Sequence, residues 1–260
     1  MKIILLILAL LQTTPEEIDK AIAAYRTQLA QDDSNYEAHV NLAIVLERAG
    51  KRGEAGEQYE KALALRPDDA QALINLGMFY IRGNDGRKGR EYLEKALSAD
   101  SHNIAIRKEL AASYFDDKDF RKAIPLLVDV VQAEPTNVDY LYLLGKSYER
   151  LKAYPQATAV LQQAVRLKPD YLDAYSTLGV VFYAQQDWQR AAQAMSRVVE
   201  LKPMDALAHF VFATCLDNLG NAKEAIVQYN KFLELDDGSS DARSFQARQR
   251  AKTLERRLKR

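Results

Sequence analysis

Residues 138–171 read VDYLYLLGKSYERLKAYPQATAVLQQAVRLKPDY, and residues 172–205 read LDAYSTLGVVFYAQQDWQRAAQAMSRVVELKPMD. Set one above the other, the two lines share a pattern. Leu144-Gly145 stands over Leu178-Gly179, Tyr148 over Phe182, Tyr154 over Trp188, Ala157 over Ala191, Leu161 over Met195 and Pro169 over Pro203. Within each line apolar residues recur at i, i+3, i+4 and i+7, the spacing of one helical face. They fall in two runs separated by a short polar break such as Gln185-Gln186-Asp187. Proline closes the second run, because it lacks an N–H and restricts the residue before it. Each line therefore reads as two helices joined by a tight turn.

The same ruler extends in both directions. Prolines at 67, 135, 169 and 203 are separated by 68, 34 and 34 residues, with Ser101 in the missing place and Asp33 and Asp237 at the ends. Twelve residues before each marker stand Ala21, Ala55, Gly89, Ala123, Ala157, Ala191 and Ala225. Small residues in register suit a close helix crossing. Eight before it stand Tyr25, Tyr59, Leu93, Leu127, Leu161, Met195 and Tyr229, large enough to fill the space between helices. Large–small pairs recur at Leu42-Ala43, Leu76-Gly77, Leu110-Ala111, Leu144-Gly145, Leu178-Gly179 and Phe212-Ala213, and Phe120, Tyr154 and Trp188 mark the turns. These columns and the period of 34 resemble the tetratricopeptide repeat (TPR) family over nearly the whole chain. The resemblance implies an all-α, right-handed superhelical solenoid of helix-turn-helix hairpins, stacked because one hairpin cannot bury its own apolar face. Six hairpins are clear, near 36–69, 70–103, 104–137, 138–171, 172–205 and 206–239, within an array spanning 15–239. The repeat beginning at Ala70 departs most, with Gly89 for alanine, Ser101 for proline and the turn Gly83-Asn84-Asp85-Gly86. A looser hinge is expected there.

The ends read differently. Thr14-Pro15-Glu16-Glu17 is a helix start, with a cap, a first-turn proline and acids at the positive end of the helix dipole. Before it lie Lys2 and the apolar run Ile3 to Leu11. Residues 1–14 fit two readings, an apolar leader or the first helix of an atypical seventh repeat. A lysine followed by such a run resembles a signal-peptide core and is too short to span a bilayer. The leader reading places the chain at the cell envelope or on a membrane, with a cytoplasmic location as the alternative. The helix reading makes the run a surface for self-association. Residues 240–260 form a last helix with an apolar stripe of Phe245, Ala247, Ala251, Leu254 and Leu258 among basic residues. It reads as a solvating cap, or as a contact for anionic lipid or nucleic acid.

Catalytic chemistry finds little footing. His39, His102 and His209 are far apart, no HExxH spacing occurs, and Gly83 to Arg90 lacks the ending of a phosphate-binding loop. His39 and His209 share a repeat column and read as packing residues. Cys215 is the sole cysteine, which excludes an internal disulfide and a thiolate metal cluster, and it reads as inert core. No catalytic, cofactor-binding or metal-ligating residue is assigned, and the chain reads as a non-enzyme. Lys+Arg and Asp+Glu are both 36, a balance that argues against a nucleic-acid partner.

The family geometry implies a protein or peptide partner on the concave surface, lined by the first helix of each hairpin. By phase this surface includes Val40, Asn41, Ile44 and Arg48, then Ile74, Asn75, Met78 and Arg82, then Lys108, Tyr142, Lys146, Arg150 and Tyr183. Its first part is apolar and its middle more basic. Asn41 and Asn75 are one repeat apart, and in related TPR proteins an asparagine there holds a peptide backbone, since its amide both donates and accepts. The lysine/asparagine/arginine clamp of chaperone-binding relatives is missing, because Val40 and Ile44 stand at its lysine and asparagine positions.

Overall fold

A computed structural model describes residues 14–236 and 241–259, and the apolar run Ile3 to Leu11 lies outside them, as do residues 237–240. Fourteen helices and no strand occur among the described residues. They are α1 (Pro15–Gln31), α2 (Tyr36–Arg48), α3 (Arg52–Leu65), α4 (Ala70–Arg82), α5 (Gly86–Ala99), α6 (Ile104–Asp116), α7 (Phe120–Ala133), α8 (Val138–Arg150), α9 (Tyr154–Leu167), α10 (Leu172–Ala184), α11 (Trp188–Leu201), α12 (Ala206–Asn218), α13 (Ala222–Leu235) and α14 (Asp241–Leu258). Each marker proline stands two residues beyond the end of α3, α7, α9 or α11. None of these helices is long and apolar enough to cross a membrane.

The turn inside each hairpin is built the same way every time. Gly50, Asn84, Lys118, Lys152, Gln186 and Gly220 all have φ between 58° and 79°. These six residues are successive members of one 34-residue column. After each, the next N–H returns to a carbonyl five residues back: Lys51 to Leu46 at 2.9 Å, Asp85 to Tyr80 at 3.0 Å, Asp187 to Phe182 at 2.9 Å. This closure satisfies carbonyls that the helix end would otherwise leave open. Three members, Lys118, Lys152 and Gln186, carry side chains that disfavour the left-handed region by about 1–2 kcal/mol each. Tertiary packing on both sides of the turn must offset that cost. Asp85, Asp119 and Asp187 then cap the second helix, accepting from the N–H groups of Lys88, Lys122 and Arg190.

The structure divides into two units, residues 1–113 and 114–260, with α6 crossing the boundary. In the first, Thr14 and Glu17 form a reciprocal cap on α1. Ile18, Ala21, Ile22, Tyr25 and Leu29 of α1 then pack on a core of Leu42, Val45, Leu46, Ala55, Tyr59 and Leu76. The hairpin α4–α5 is not the looser element expected from its glycines. A Cβ on Gly89 would stand 2.5 Å from Ile81 Cγ1 and 2.6 Å from the Gly77 carbonyl oxygen, and one on Gly77 would stand 2.9 Å from the Gly89 carbonyl oxygen. Two glycines let the backbones of α4 and α5 approach closer than the alanine of the other repeats allows. At the turn, Gly83 leaves room for the Arg52 guanidinium, which donates to the Phe79 carbonyl at 2.6 Å.

In the second unit the small–large pairing recurs. A Cβ on Gly145 would stand 2.5 Å from Leu161 Cγ, and one on Gly179 would stand 2.5 Å from Met195 Sδ. Leu141, Ala157, Leu161, Ala164, Ala174 and Val181 are fully buried around these crossings. Complete burial of such a leucine contributes about 1.5–3 kcal/mol. The last helix, α14, covers the final hairpin: Ala247, Ala251 and Leu254 pack with Phe210, Leu216, Tyr229 and Phe232. Phe245 and Leu258 do not join that stripe, because they stand exposed at 65% and 49%. Ser244 takes an inner place instead, with its hydroxyl on the Asp236 carboxylate.

Candidate functional site

A cleft of about 460 Å³ opens in the first unit between α2, α3 and α4. Its walls are Ile44, Glu47 and Arg48 from α2, Tyr59 from α3, and Asn75, Met78 and Arg82 from α4. The spacings 44, 47, 48 and 75, 78, 82 each keep to one helical face. The close crossing of α4 on α5, at Gly77 and Gly89, fixes the helix that bears three of these residues.

One end of the cleft is held by a carboxylate network. Arg82 donates to both oxygens of Glu47, from Nε at 2.9 Å and Nη2 at 2.8 Å. Tyr59 donates its hydroxyl to Glu47 Oε2 at 3.4 Å, and Arg52 Nη1 stands 3.6 Å from Oε1. The Glu47 side chain is only 16% exposed. The bidentate form fixes Arg82 in orientation as well as position. Burial, then the Glu47 charge, pushes the Tyr59 phenol up, so it stays a neutral donor. Glu109, half-buried on α6, has its carboxyl raised by desolvation, with Arg82 pulling the other way.

The other end is apolar, with Ile44 and Met78 as its floor. Asn75 stands between the two ends. Its Oδ1 accepts from Gln71 Nε2 at 3.0 Å, while its Nδ2 is buried without any hydrogen-bond partner. A buried amide donor left open costs about 1–3 kcal/mol.

Of the thirteen residues read as groove-facing, the structure gathers Ile44, Arg48, Asn75, Met78 and Arg82 around this one cleft. Val40 is corrected to the core. It is 1% exposed and packs with Tyr36, Ala62 and Ala72, because the start of α4 covers it. Asn41 and Ile74 are half-buried beside the cleft but do not line it, and Lys108 is half-buried on α6. In the second unit Tyr142 packs its ring on Tyr171 at 5.5 Å and Tyr183 meets Trp188 edge-on at 5.3 Å. There Lys146 pairs with Glu149 at 3.0 Å, and Arg150 lies 6.0 Å above the Phe120 ring. Glu47 and Tyr59 are lining residues outside the set read as groove-facing; Tyr59 stands in the column of residues that fill the space between helices. An acid beside Arg48, one position off the period from Arg82, was the available signal.

His39 and His209 are structural. His39 places Nδ1 2.7 Å from Gln58 Oε1 and Nε2 2.9 Å from the Asp33 carbonyl oxygen. His209 repeats this with Gln228 at 2.6 Å and the Pro203 carbonyl at 2.9 Å. Both ring nitrogens are thus engaged within the protein. Desolvation pushes the buried Cys215 thiol up to about 12, far from a nucleophilic thiolate. No group of histidine, cysteine and acidic side chains able to hold a metal occurs among the described residues.

Comparison with known proteins agrees with this architecture. Models described as tetratricopeptide repeat match residues 114–179 and, in a second form, 16–61, 42–104 and 176–240. No curated protein matches the chain. Among solved structures, the C-terminal part of a TPR repeat-containing protein from Cytophaga hutchinsonii is similar with a TM-score of 0.70 at 17% identity, covering 87% of this chain and 93% of that one. YrrB, described as a TPR protein with an unusual peptide-binding site, has a TM-score of 0.65 at 19% identity, over 71% of this chain and 95% of its own. MamA from Desulfovibrio magneticus RS-1 has a TM-score of 0.59 at 22% identity, over 65% and 96%. At these identities the likeness is one of fold. With the repeat models covering most of its length and the hairpins built alike, the chain belongs to the tetratricopeptide repeat family.

Proposed function

We propose that this chain is a non-catalytic adaptor that holds an extended segment of a partner protein in the cleft between α2 and α4. The family as a whole serves protein interaction. The single observation that carries the finer reading is the buried, unpartnered Nδ2 of Asn75 between an apolar floor and a fixed arginine. Once the Asn75 amide turns towards the cleft, an entering backbone carbonyl supplies the missing acceptor. An apolar side chain of the segment fits between Ile44 and Met78, and an acidic one faces Arg48 and Arg82. The likeness to YrrB, whose structure is described by its peptide-binding site, is in keeping with such a use of the fold. We also infer an envelope setting from Lys2 and the run Ile3 to Leu11, and fractionation of the full chain against one lacking residues 1–14 tests it.

The test is a random-peptide display selection on the immobilised full chain, followed by affinity measurement of the selected peptides. They should carry an apolar residue next to an acidic one. Asn75→Ala should weaken them roughly tenfold, since a hydrogen bond to a desolvated amide is worth about 1–1.5 kcal/mol. Peptides that bind Asn75→Ala and Met78→Lys as tightly as the native chain would place the contact elsewhere.

A further inference from the structure

The outward face of α14 has no role in the cleft, and it is chemically distinct. Packing divides this helix in two. Ser244, Ala247, Ala251 and Leu254 are buried against the last hairpin. Arg250 is committed to that hairpin as well, donating to both oxygens of Asp217 at 2.7 Å. The outward flank beside the packed face carries Phe245, Arg248, Lys252 and Arg256, with Lys259 just past the helix end, all exposed. The spacing of three, four and four residues from Phe245 to Arg256 keeps these in one row, about 17 Å long at 1.5 Å per residue. None of these four cations has a carboxylate partner among the described residues. Glu255 is the sole acid between Ala242 and Lys259.

We propose that this row docks on a bilayer surface bearing anionic lipid headgroups. Three features fit that occupant. Unpaired cations in a straight row match a plane of phosphates. Phe245, 65% exposed among them, loses nothing by entering the headgroup boundary and gains burial there. The helix's own apolar stripe stays occupied by the hairpin, so α14 lies on the surface without leaving the fold. A nucleic-acid duplex would take the cations but offer the phenyl ring nothing.

The experiment is co-sedimentation of the full chain with phosphatidylcholine vesicles, with and without phosphatidylglycerol. The variants are Phe245→Ser and the fourfold Arg248→Gln/Lys252→Gln/Arg256→Gln/Lys259→Gln. All five side chains are exposed, so an unchanged circular dichroism melt certifies the fold. The native chain should prefer the anionic vesicles, and the preference should fade well above about 0.1 M salt. The fourfold variant should lose on the order of a hundredfold or more in partition, because each cation near such a surface is worth about fivefold. Phe245→Ser should lose several-fold. Binding through the run Ile3 to Leu11 would appear on neutral vesicles too and would survive the fourfold change. An unchanged partition of the fourfold variant, or no anionic preference in the native chain, would overturn the proposal. So would tighter binding of a single-stranded oligonucleotide than of vesicles, lost in the fourfold variant, which would assign the row to nucleic acid.

Discussion

Gly89→Ala installs the residue that Ala55, Ala123, Ala157, Ala191 and Ala225 hold in the same column, yet it should destabilise the protein. Two effects oppose each other. Alanine improves helix propensity by about 1 kcal/mol over glycine. Against this, the new Cβ would lie 2.6 Å from the Gly77 carbonyl oxygen and 2.9 Å from the Ile81 nitrogen. Both are backbone atoms of α4 and cannot swing aside. Relief requires α4 and α5 to separate by several tenths of an ångström along a fully packed crossing, and overpacking of this kind costs about 1–3 kcal/mol. With two backbone atoms closer than 3 Å the cost falls in the upper half of that range, about 2–3 kcal/mol, and the net loss is about 1–2 kcal/mol. Gly53→Ala is the control. Near the start of α3 its Cβ would meet nothing within 4 Å, so propensity acts alone and stability should rise by a few tenths of a kcal/mol. Urea unfolding followed by far-ultraviolet circular dichroism reads both. A Gly89→Ala protein as stable as the native one, or more so, would refute the close α4–α5 crossing and with it the fixed placement of Asn75, Met78 and Arg82.

Other expectations follow from the same geometry. Gly220→Ala has open space around it, so its cost of about 1–2 kcal/mol should be purely that of placing a side chain at φ +79°; a midpoint shift in urea measures it. Arg250→Ala leaves the Asp217 carboxylate, its side chain only 6% exposed, with the Tyr229 hydroxyl as its remaining side-chain donor among the described residues, and should cost about 1–3 kcal/mol, seen as faster tryptic release of α14. Cys215, with its thiol pushed up to about 12, should resist a thiol-disulfide reagent at pH 8 in the folded state and react at once in urea. The sign is set by a raised value: the thiolate that the reagent needs forms only when pH climbs far above that of an exposed cysteine.

The hairpins were legible because each depends on residue size in register. Gly145 under Leu161, or Gly179 under Met195, can be read from a 34-residue ruler, and the structure puts those pairs in contact. The turns were legible only as polar breaks. Nothing in Lys118, Lys152 or Gln186 announces a left-handed backbone, since their own preference runs the other way and the packed helices impose it. The cleft was half visible. Ile44, Asn75 and Met78 follow from phase, whereas Glu47 belongs through its ion pair with Arg82, and pairing between side chains thirty-five residues apart leaves no periodic trace. Val40 shares the phase of its neighbours but is covered by the start of α4, a contact that helix phase alone does not contain. Phe245 was placed in the apolar stripe by its chemistry, and the structure gives the inner place to Ser244, one residue earlier and about 100° around the helix.

The central claim is that the buried, unpartnered amide of Asn75 turns outward to capture the partner's backbone. The most direct measurement is the side-chain NH₂ resonance pair of Asn75 in ¹⁵N-labelled full chain, assigned by its loss in Asn75→Ala, during titration with a selected peptide. The account predicts that both signals shift and that the pair gains protection from solvent exchange as the peptide saturates. A peptide that binds while those signals stay where they were would contradict it.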